Sequence, residues 1–440
     1  MDHDFDFTFS APPEHVADLP AETGVAVIGG GIIGVMTAWY LHQMGARVVL
    51  LEKGRIACEQ SSRNWGWVRQ QGRDPAELPI MVEAMDLWRT LADELGDGLG
   101  FRQRGILYLA SSQKEMDEYQ ASLAHARACG VDTRLISGAE VARMLPGAGP
   151  GWKGALYTAS DARAEPWQAV PLIARALAAK GVTIRERCAV RALDIAAGRV
   201  RGIITEAGPL RAGCVVLAGG AWSSLFLRNH GVSIPQLSVR ATAGATGPVG
   251  HEIFAGAAEG AGLAFRRRAD GGYTLAPGFH HQLYIGPDAL RNLPKYLGLL
   301  AERPLGTRYR PAAPPGFPDA WTTPRRWPSD RATPFEAMRV LNPPPDRRKA
   351  GQLAAGFARL YPGVGPVRLR HAWAGMIDLM PDELPIVGEV PALPGLVLAT
   401  GMSGHGFGIG PGMGRVVADL ALGRAARHDL GPFRFDRFRR

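Results

Sequence analysis

The clearest pattern of hydrophobic and polar positions lies near the start of the chain. Residues 25–28 form a short apolar run that ends in glycine, and residues 48–51 form a second such run. Between them, residues 32–44 carry apolar positions at helical spacing, and this segment stops at Gly45. Strand, helix and strand within roughly 30 residues make a βαβ unit, whose strands are parallel and whose crossover is right-handed. The pattern therefore predicts that the chain opens with an α/β unit.

Further elements are predicted along the chain, but strand and helix do not alternate regularly. Helices are expected at 83–95, 113–128, 138–145 and 170–180, and strands at 105–110, 183–186, 190–196, 199–206 and 214–218. Residues 396–422 return to strand, glycine loop and helix. Residues 238–370 are rich in proline, arginine and tryptophan, and within them residues 290–348 have no readable fold. We therefore expect two interleaved domains, one built from separate segments and one a cap with long ordered loops.

One uncharged stretch, residues 24–41, approaches the length of a membrane span. Its centre is the triplet at 29–31, and three glycines are a poor centre for a helix exposed to lipid. No transmembrane segment is therefore predicted. Residues 1–20 combine several acidic side chains with neither a basic nor an apolar region, so no signal peptide is expected and a cytoplasmic location is favoured.

Composition and charge narrow the class of protein. Hydrophobic residues make up 46% of the 440 positions and charged residues 21%, which is typical of a globular protein. The four cysteines show no C-x-x-C spacing, so neither a disulfide framework nor a metal site is predicted. The net charge of +9 comes from scattered arginines without interleaved aromatics, so nucleic acid is not an expected partner. The positive charge is then expected either to lie on a solvated, non-specific surface or to attract an acidic substrate.

A glycine motif follows the first predicted strand. Gly29, Gly31 and Gly34 have the spacing G-x-G-x-x-G and open the predicted helix. In a dinucleotide-binding unit these glycines allow the turn, the approach to the pyrophosphate and close helix packing, and the helix N-terminus attracts the phosphates. Glu52 closes the second predicted strand, where an acid can accept hydrogen bonds from ribose hydroxyls and disfavours a 2′-phosphate. The motif therefore predicts FAD or NAD rather than NADP.

Two distant glycine segments bear on the choice between FAD and NAD. Residues 217–223 follow one predicted strand, and residues 400–408 follow another near the C-terminus. A nicotinamide domain is usually one contiguous block and needs neither segment, whereas a cofactor that extends through the protein would use both. The alternative is that these glycines serve only as turns. Together with the first motif, the segments favour FAD.

With these segments, the sequence resembles the family of FAD-dependent oxidoreductases that includes D-amino acid oxidase, glycine oxidase and monomeric sarcosine oxidase. The resemblance covers almost the whole chain and is carried by the glycine motif with Glu52 and Lys53, by residues 61–64, by residues 218–220, and by residues 381–388 leading into 401–408. Within the family, the chain looks most like the L-amino acid deaminase branch. The features that point to this branch are residues 204–209, 333–336, 373–375 and 432–435.

The resemblance implies a fold of the α/β class. It consists of a Rossmann-type FAD-binding domain interleaved with an α+β substrate-binding domain that has a mixed antiparallel sheet. The FAD-binding domain is expected at 22–104, 155–237 and 371–425, and the substrate-binding domain at 105–154 and 238–370.

The resemblance also implies FAD as the cofactor and assigns residues to it. Those expected to bind FAD are Gly29, Gly31 and Gly34 at the pyrophosphate with Ile33 beside them; Glu52 at the ribose, followed by Lys53; Ser61, Ser62, Arg63 and Asn64 along the flavin side; Val190 at the adenine; Ala218, Gly219, Gly220 and Trp222; and Gly401, Met402, Ser403, Gly404, His405 and Gly406 near the isoalloxazine.

On the substrate side, the sequence departs from the deaminase branch. In that branch an arginine of the cap anchors the substrate carboxylate, and the corresponding position here is Gly278. Arg69 is the expected substitute, because a guanidinium can form a bidentate pair with a carboxylate; a structural ion pair or an exposed loop arginine is the alternative. Trp373 is expected either to wall the substrate pocket or to belong to the core. His281, next to His280, either donates to the carboxylate or is solvated.

The resemblance implies oxidation of the C–N bond of an amino acid. Hydride passes from the substrate α-carbon to the flavin, and the resulting imine is hydrolysed to a keto acid and ammonia. An L-α-amino acid is the favoured substrate, and oxygen or a quinone is the expected electron acceptor. Two alternatives stay open: an N-methyl or cyclic secondary amino acid as the substrate, or a flavoprotein without turnover that serves as an assembly factor.

Overall fold

The structure is a computed structural model that describes residues 11–149, 151–278, 280–302 and 307–438. In these residues the strands are β1 (Glu22–Ile28), β2 (Val48–Leu51), β3 (Trp67–Val68), β4 (Arg102–Gln103), β5 (Ile106–Ala110), β6 (Arg134–Ser137), β7 (Gly154–Thr158), β8 (Ala162–Arg163), β9 (Thr183–Arg185), β10 (Val190–Ala196), β11 (Arg199–Thr205), β12 (Gly208–Leu217), β13 (Leu237–Thr246), β14 (Ala257–Gly260), β15 (Leu263–Arg267), β16 (Tyr273–Pro277), β17 (His281–Tyr284), β18 (Thr307–Arg310), β19 (Leu369–Leu379), β20 (Ile386–Glu389) and β21 (Leu396–Thr400). The helices are α1 (Ile32–Gln43), α2 (Gln60–Arg63), α3 (Leu78–Leu95), α4 (Gln113–Ala128), α5 (Gly138–Met144), α6 (Pro166–Ala179), α7 (Ser223–Asn229), α8 (Pro287–Glu302), α9 (Pro334–Ala337), α10 (Arg347–Leu360) and α11 (Gly406–Ala421).

The first sheet contains the predicted βαβ unit and has eight strands in the described residues. Its parallel part runs in the order β9, β2, β1, β12, β21, and β10, β11 and β20 extend it as antiparallel strands. Ile28 of β1 is in register with Leu51 of β2 and with Leu217 of β12, so the carboxyl ends of these strands meet at one edge. Ligands of open parallel sheets bind beyond this edge. The topology therefore brings the glycine motif, the end of β2 and the end of β12 together.

The second sheet has ten strands in the described part of the chain and is mainly antiparallel. Its longest pairing joins β13 to β19, from Leu237 opposite Leu379 to Thr246 opposite Leu369. Strands β14 and β5 pair in parallel, as do β17 and β18. The predicted fold class is confirmed: an α/β domain of Rossmann type is interleaved with an α+β domain that has a mixed sheet.

The core lies on both faces of the first sheet. Helices α1, α3, α6 and α11 cover one face. Helix α11 approaches α1 closely because it presents glycines: a Cβ on Gly414 would lie 2.5 Å from the Met36 Cβ, and one on Gly410 would lie 2.4 Å from the Ile32 Cγ1. The second sheet packs its own apolar residues against α10. The two large sheets thus have separate cores, and in the described residues β3, β8 and β4 form a third sheet of three strands.

Several predicted elements coincide with the structure, and others begin earlier than expected. The predicted helix at 113–128 and the strand at 48–51 have the observed bounds. Helix α3 starts at Leu78 instead of 83, because Pro79 lies in the first turn, where its missing N–H is not needed. The segment without a readable fold, 290–348, includes most of α8, all of β18 and α9, and the start of α10. The domain bounds remain a prediction, and in the described residues no helix is both long and apolar enough to cross a membrane.

Candidate active site

One cavity of about 1230 Å³ is lined by both sheets. Pockets for a single small ligand typically measure about 300–1,000 Å³, so this cavity has room for a dinucleotide together with a small substrate. The predicted site residues that line it are Gly29, Gly31, Ile33, Glu52, Lys53, Ser61, Arg63, Asn64, Arg69, Val190, Ala218, Gly219, Gly220, Trp222, His281, Met402, Ser403, Gly404, His405 and Gly406. Those that lie behind its wall are Gly34, Ser62, Trp373 and Gly401.

The glycine motif forms a turn that only glycine can complete. Gly29 has a φ of +111°, and a Cβ there would lie 2.4 Å from the carbonyl oxygen of Ala218. A Cβ on Gly34 would lie 1.9 Å from the carbonyl oxygen of Gly29. Gly31 is the N-cap of α1, offers no side chain, and is followed by a first turn without acidic residues. The positive end of the helix dipole is therefore open to the cavity, which fits a phosphate group.

Glu52 lies at the end of β2 and is oriented by the backbone on both sides. Its Oε2 accepts a hydrogen bond from Gly30 N at 2.7 Å, and its Oε1 accepts one from Gly54 N at 2.7 Å. Burial raises the pKa of this carboxyl group. Each carboxylate oxygen can accept a second hydrogen bond, so Glu52 can also receive ribose hydroxyls from the cavity.

Lys53 lines the cavity, but its ammonium is used inside the protein. Nζ donates to Glu59 Oε1 at 2.8 Å and to the carbonyl oxygens of Met338 at 3.0 Å and Arg339 at 2.9 Å. An ammonium has three donors, so Lys53 has no N–H left for a phosphate. Glu59 also accepts from Trp222 Nε1 at 3.0 Å. Lys53 and Glu59 therefore fasten residues 338–339 to the end of β2. Glu59 was not predicted from the sequence because it belongs to no motif.

The predicted segment 61–64 covers the last three residues of α2 and its C-cap Asn64, and it supports the start of α1. Ser61 Oγ accepts a hydrogen bond from Ile32 N at 2.8 Å. Asn64 Nδ2 donates to the carbonyl oxygen of Ser61 at 2.8 Å. Ser62 Oγ donates to the carbonyl oxygen of Glu59 at 3.3 Å and is buried. The segment is rigid because its side chains bond to nearby backbone.

Arg63 joins this segment to the second sheet. Its Nη1 donates to Asn342 Oδ1 at 2.6 Å and to the carbonyl oxygen of Ala374 at 2.8 Å, and its Nη2 donates to the carbonyl oxygen of Cys58 at 2.8 Å. Burial lowers the pKa of Arg63 to about 10. Trp373 Nε1 donates to the carbonyl oxygen of Arg63 at 2.9 Å from a buried position. Of the two readings of Trp373, the structure places it in the core behind the cavity wall.

The glycine loop at 401–406 is held by a buried acid of β19. Asp378 Oδ2 accepts from Gly401 N at 2.8 Å, and its carbonyl oxygen accepts from Ser403 N at 3.0 Å. Burial raises the pKa of Asp378 to about 6. Met380 N donates to Ser403 Oγ at 3.2 Å and anchors the same loop from below. Asp378 was missed in the sequence because a single acid in a strand carries no signal.

A buried cluster fixes the end of this loop. Arg73 Nη2 donates to the carbonyl oxygen of His405 at 3.0 Å, and its Nη1 donates to Glu77 Oε2 at 3.4 Å. His405 Nδ1 lies 3.3 Å from the same carboxylate oxygen. Burial lowers the pKa of His405. For Glu77, burial acts to raise the pKa, but His405 and Arg73 outweigh it and bring the pKa to about 2. Glu77 is therefore ionised beside the loop.

Arg69 lies beside Tyr108 of β5, in the part of the cavity that is also lined by Glu259, Gly278 and His281. We call this part the Arg69 chamber. Its Nη1 donates to the carbonyl oxygen of Gln71, and its guanidinium carbon lies 5.9 Å from the centre of the Tyr108 ring. Asp161 fixes the segment that carries it, accepting from Gln70 N at 2.6 Å and Gln71 N at 3.2 Å. Burial raises the pKa of Asp161 to about 7, although these hydrogen bonds oppose the shift. Among the described residues Arg69 makes no ion pair, so its charge faces the cavity.

Gly278 lines the same chamber, and an acid lies beside it. A Cβ on Gly278 would lie 2.5 Å from Glu259 Oε1. Burial raises the pKa of Glu259, and the positive charge of Arg69 opposes this shift. His281 also lines the cavity, next to His280. Glu259 was not predicted from the sequence, because nothing in the strand around it marks the acid as functional.

Comparison with known proteins decides the family. A family model described as FAD dependent oxidoreductase matches residues 24–420. The chain belongs to this family. Its members bind FAD, so the cofactor is FAD, and the open helix N-terminus, the glycine turn and Glu52 fit the nucleotide part of that cofactor.

Three similar proteins indicate the range of this family. The structure of L-amino acid deaminase from Proteus myxofaciens is 30% identical with a TM-score of 0.92, and the match covers 97% of this chain and 96% of that one. Glycine oxidase from Geobacillus kaustophilus is 26% identical over 94% of this chain and 96% of its own length. Human mitochondrial sarcosine dehydrogenase is 30% identical over 50% of this chain, and the matched region spans 25% of that protein. The chain is therefore similar to several oxidoreductases that act on amino acids.

Proposed function

We propose that the chain oxidises the Cα–N bond of an L-α-amino acid, giving an imine that water hydrolyses to a keto acid and ammonia. The observation that carries this proposal is the match to L-amino acid deaminase over nearly the whole of both chains. The continuous cavity supports this proposal, because the glycine motif and Arg69 line the same space. Oxygen or a quinone is proposed as the electron acceptor.

Each side of the cavity has its own task in this reaction. Bound FAD supplies the acceptor for hydride from the substrate α-carbon. Arg69 binds the substrate carboxylate with two parallel N–H donors, and Asp161 keeps the backbone beside it in place. The deaminase from Proteus myxofaciens was solved in complex with anthranilate, which also carries a carboxylate. The substrate amine must be neutral when it reacts, because its lone pair forms the imine bond.

The test is the visible absorbance of the purified holoprotein as L-amino acids are added without oxygen. Loss of the oxidised flavin bands is the expected result. Arg69→Ala should raise KM or Kd for the reducing amino acid roughly ten- to hundredfold, the loss expected for hydrogen bonds to a charged group. Arg89→Ala is the matched control, since Arg89 lies outside the cavity and pairs with Asp86 on the surface. Unchanged kinetics in Arg69→Ala would remove Arg69 from the site.

A second candidate function is the oxidation of N-methyl or cyclic secondary amino acids. The observation that favours it is the 30% identity to sarcosine dehydrogenase over half of the chain. The same absorbance experiment separates the two candidates. Reduction of the flavin by sarcosine or L-proline but not by primary L-amino acids would establish this second function instead.

A further inference from the structure

Arg69 and Glu259 lie in the same chamber of the cavity but do not pair with each other. Arg69 and Glu259 both line the cavity, yet no nitrogen of Arg69 lies within 4.0 Å of a Glu259 carboxylate oxygen. Among the described residues, Glu259 has neither a hydrogen bond nor an ion pair through its side chain. The two groups are close enough for the charge of Arg69 to act on Glu259. The chamber therefore presents a guanidinium and a carboxyl group that do not pair with each other, and burial disfavours the ionised form of the carboxyl group until a cation binds it.

The surroundings of Glu259 do not compensate its charge. Its carboxylate lies beside Gly278, which has no side chain to offer. Tyr108 of the neighbouring strand and Tyr119 of α4 feel its negative charge, and both are neutral phenols. Glu115 of α4 lines the cavity on the same side and is also acidic. A carboxylate in such a place is costly unless a positive group binds to it.

The chemistry of the reaction indicates which part of the substrate can carry that positive group. A reacting amino acid carries a negative carboxylate, and its α-amine is neutral. An amino acid with an uncharged side chain can therefore satisfy Arg69 but brings no charge for Glu259. An amino acid whose side chain ends in a cation satisfies both groups.

We infer that the substrates of this chain are α-amino acids with a cationic side chain, whose carboxylate binds Arg69 and whose ammonium or guanidinium binds Glu259. Glu259 is then a residue that determines specificity. The inference rests on the proposed function, because it concerns the substrate of that same site.

The test compares L-lysine with L-norleucine, which has the same carbon chain without the terminal ammonium. The second-order rate constants of anaerobic flavin reduction by the two amino acids are measured, and their ratio is compared between the wild type and Glu259→Gln. The wild type should favour lysine, and Glu259→Gln should lower the ratio roughly ten- to hundredfold. Asp117→Asn is the control, because it removes an exposed charge from α4 outside the cavity and should leave the ratio unchanged.

A binding measurement keeps this inference separate from the proposed function. Titration calorimetry of the holoprotein compares 6-aminohexanoate with hexanoate, which lack the α-amine. The wild type should bind 6-aminohexanoate more tightly, and Glu259→Gln should abolish the difference. Equal binding of the two ligands, or equal reduction by lysine and norleucine, would overturn the inference. So would an equal loss of the limiting rate of flavin reduction by both amino acids in Glu259→Gln, which is the signature of a general base. If no amine reduces the flavin, the proposed function fails, and the calorimetry still decides the role of Glu259.

Discussion

Arg266 and Glu165 form a buried ion pair between the second sheet and helix α6. Arg266 Nη1 and Nη2 donate to the two oxygens of Glu165 at 2.9 and 3.0 Å. The side chains are 0% and 1% exposed. Arg266 Nε also donates to the carbonyl oxygen of Trp65, a cavity residue, at 2.6 Å. Because α6 packs on the first sheet, this pair links the two halves of the cavity.

We expect Arg266→Met to lower the free energy of unfolding by about 3–5 kcal/mol, the cost of removing one partner from a buried pair. The variant leaves Glu165 buried with the N–H of Ala269 at 2.7 Å, and with Arg163 Nη1 3.8 Å away. It also leaves the Trp65 carbonyl without this donor. The assay is urea unfolding of the holoprotein followed by tryptophan fluorescence, with release of flavin recorded in parallel.

Two comparisons make this prediction specific. Arg102→Met breaks an exposed pair with Asp97, whose side chains are 41% and 89% exposed, and should cost less than about 1 kcal/mol. In the double variant Arg266→Met/Glu165→Gln neither member of the pair is left charged without the other, so its loss should be smaller than the sum of the single losses. If Arg266→Met costs no more than Arg102→Met, the reasoning about the buried pair is refuted.

Two further predictions concern Asp161 and the glycine motif. Burial raises the pKa of Asp161 to about 7, so its protonated form stabilises the fold below its unfolded pKa of roughly 4, and this contribution is lost as the pH rises through about 7. The Tm of the wild type minus the Tm of Asp161→Asn should therefore fall from about pH 4 to about pH 7, and a constant value would contradict the assignment. Gly34→Ala should abolish retention of FAD in the purified protein, since the added Cβ would lie 1.9 Å from a backbone oxygen. Gly351→Ala is its control, because a Cβ there meets nothing within 4 Å, and a normal flavin content in Gly34→Ala would argue against the close packing.

The local parts of the fold could be predicted because their signals lie within short stretches of sequence. The βαβ unit shows its apolar runs and glycines within one segment, and helix α4 begins at a Ser112 capping box. The pairing of β13 with β19 joins residues far apart in the chain, and no local pattern specifies it. Helix α8 was missed in a proline-rich region, because Pro294 lies inside it.

The candidate site also has parts that could be predicted from the sequence and parts that could not. The glycine motif and Glu52 lie within one βαβ unit, so their arrangement could be predicted from spacing. Asp378, Asp161 and Glu259 are single acids in unremarkable surroundings, and each gains its role only from the partners or the cavity that tertiary structure places beside it. Lys53 was expected to contact the cofactor, and its hydrogen bonds to a cap segment far along the chain could not be read from the motif.

The attachment of Lys53 to residues 338 and 339, and of β12 to β21, has a consequence for biosynthesis. The glycine motif leaves the ribosome early, but the strand that completes its sheet and the loop at 401–406 are translated more than 360 residues later. A nascent chain therefore carries the glycine turn before the later walls of the cavity have been made. We expect FAD to bind only after α11 has been translated, and we expect a chain that stops before this helix to lose its flavin.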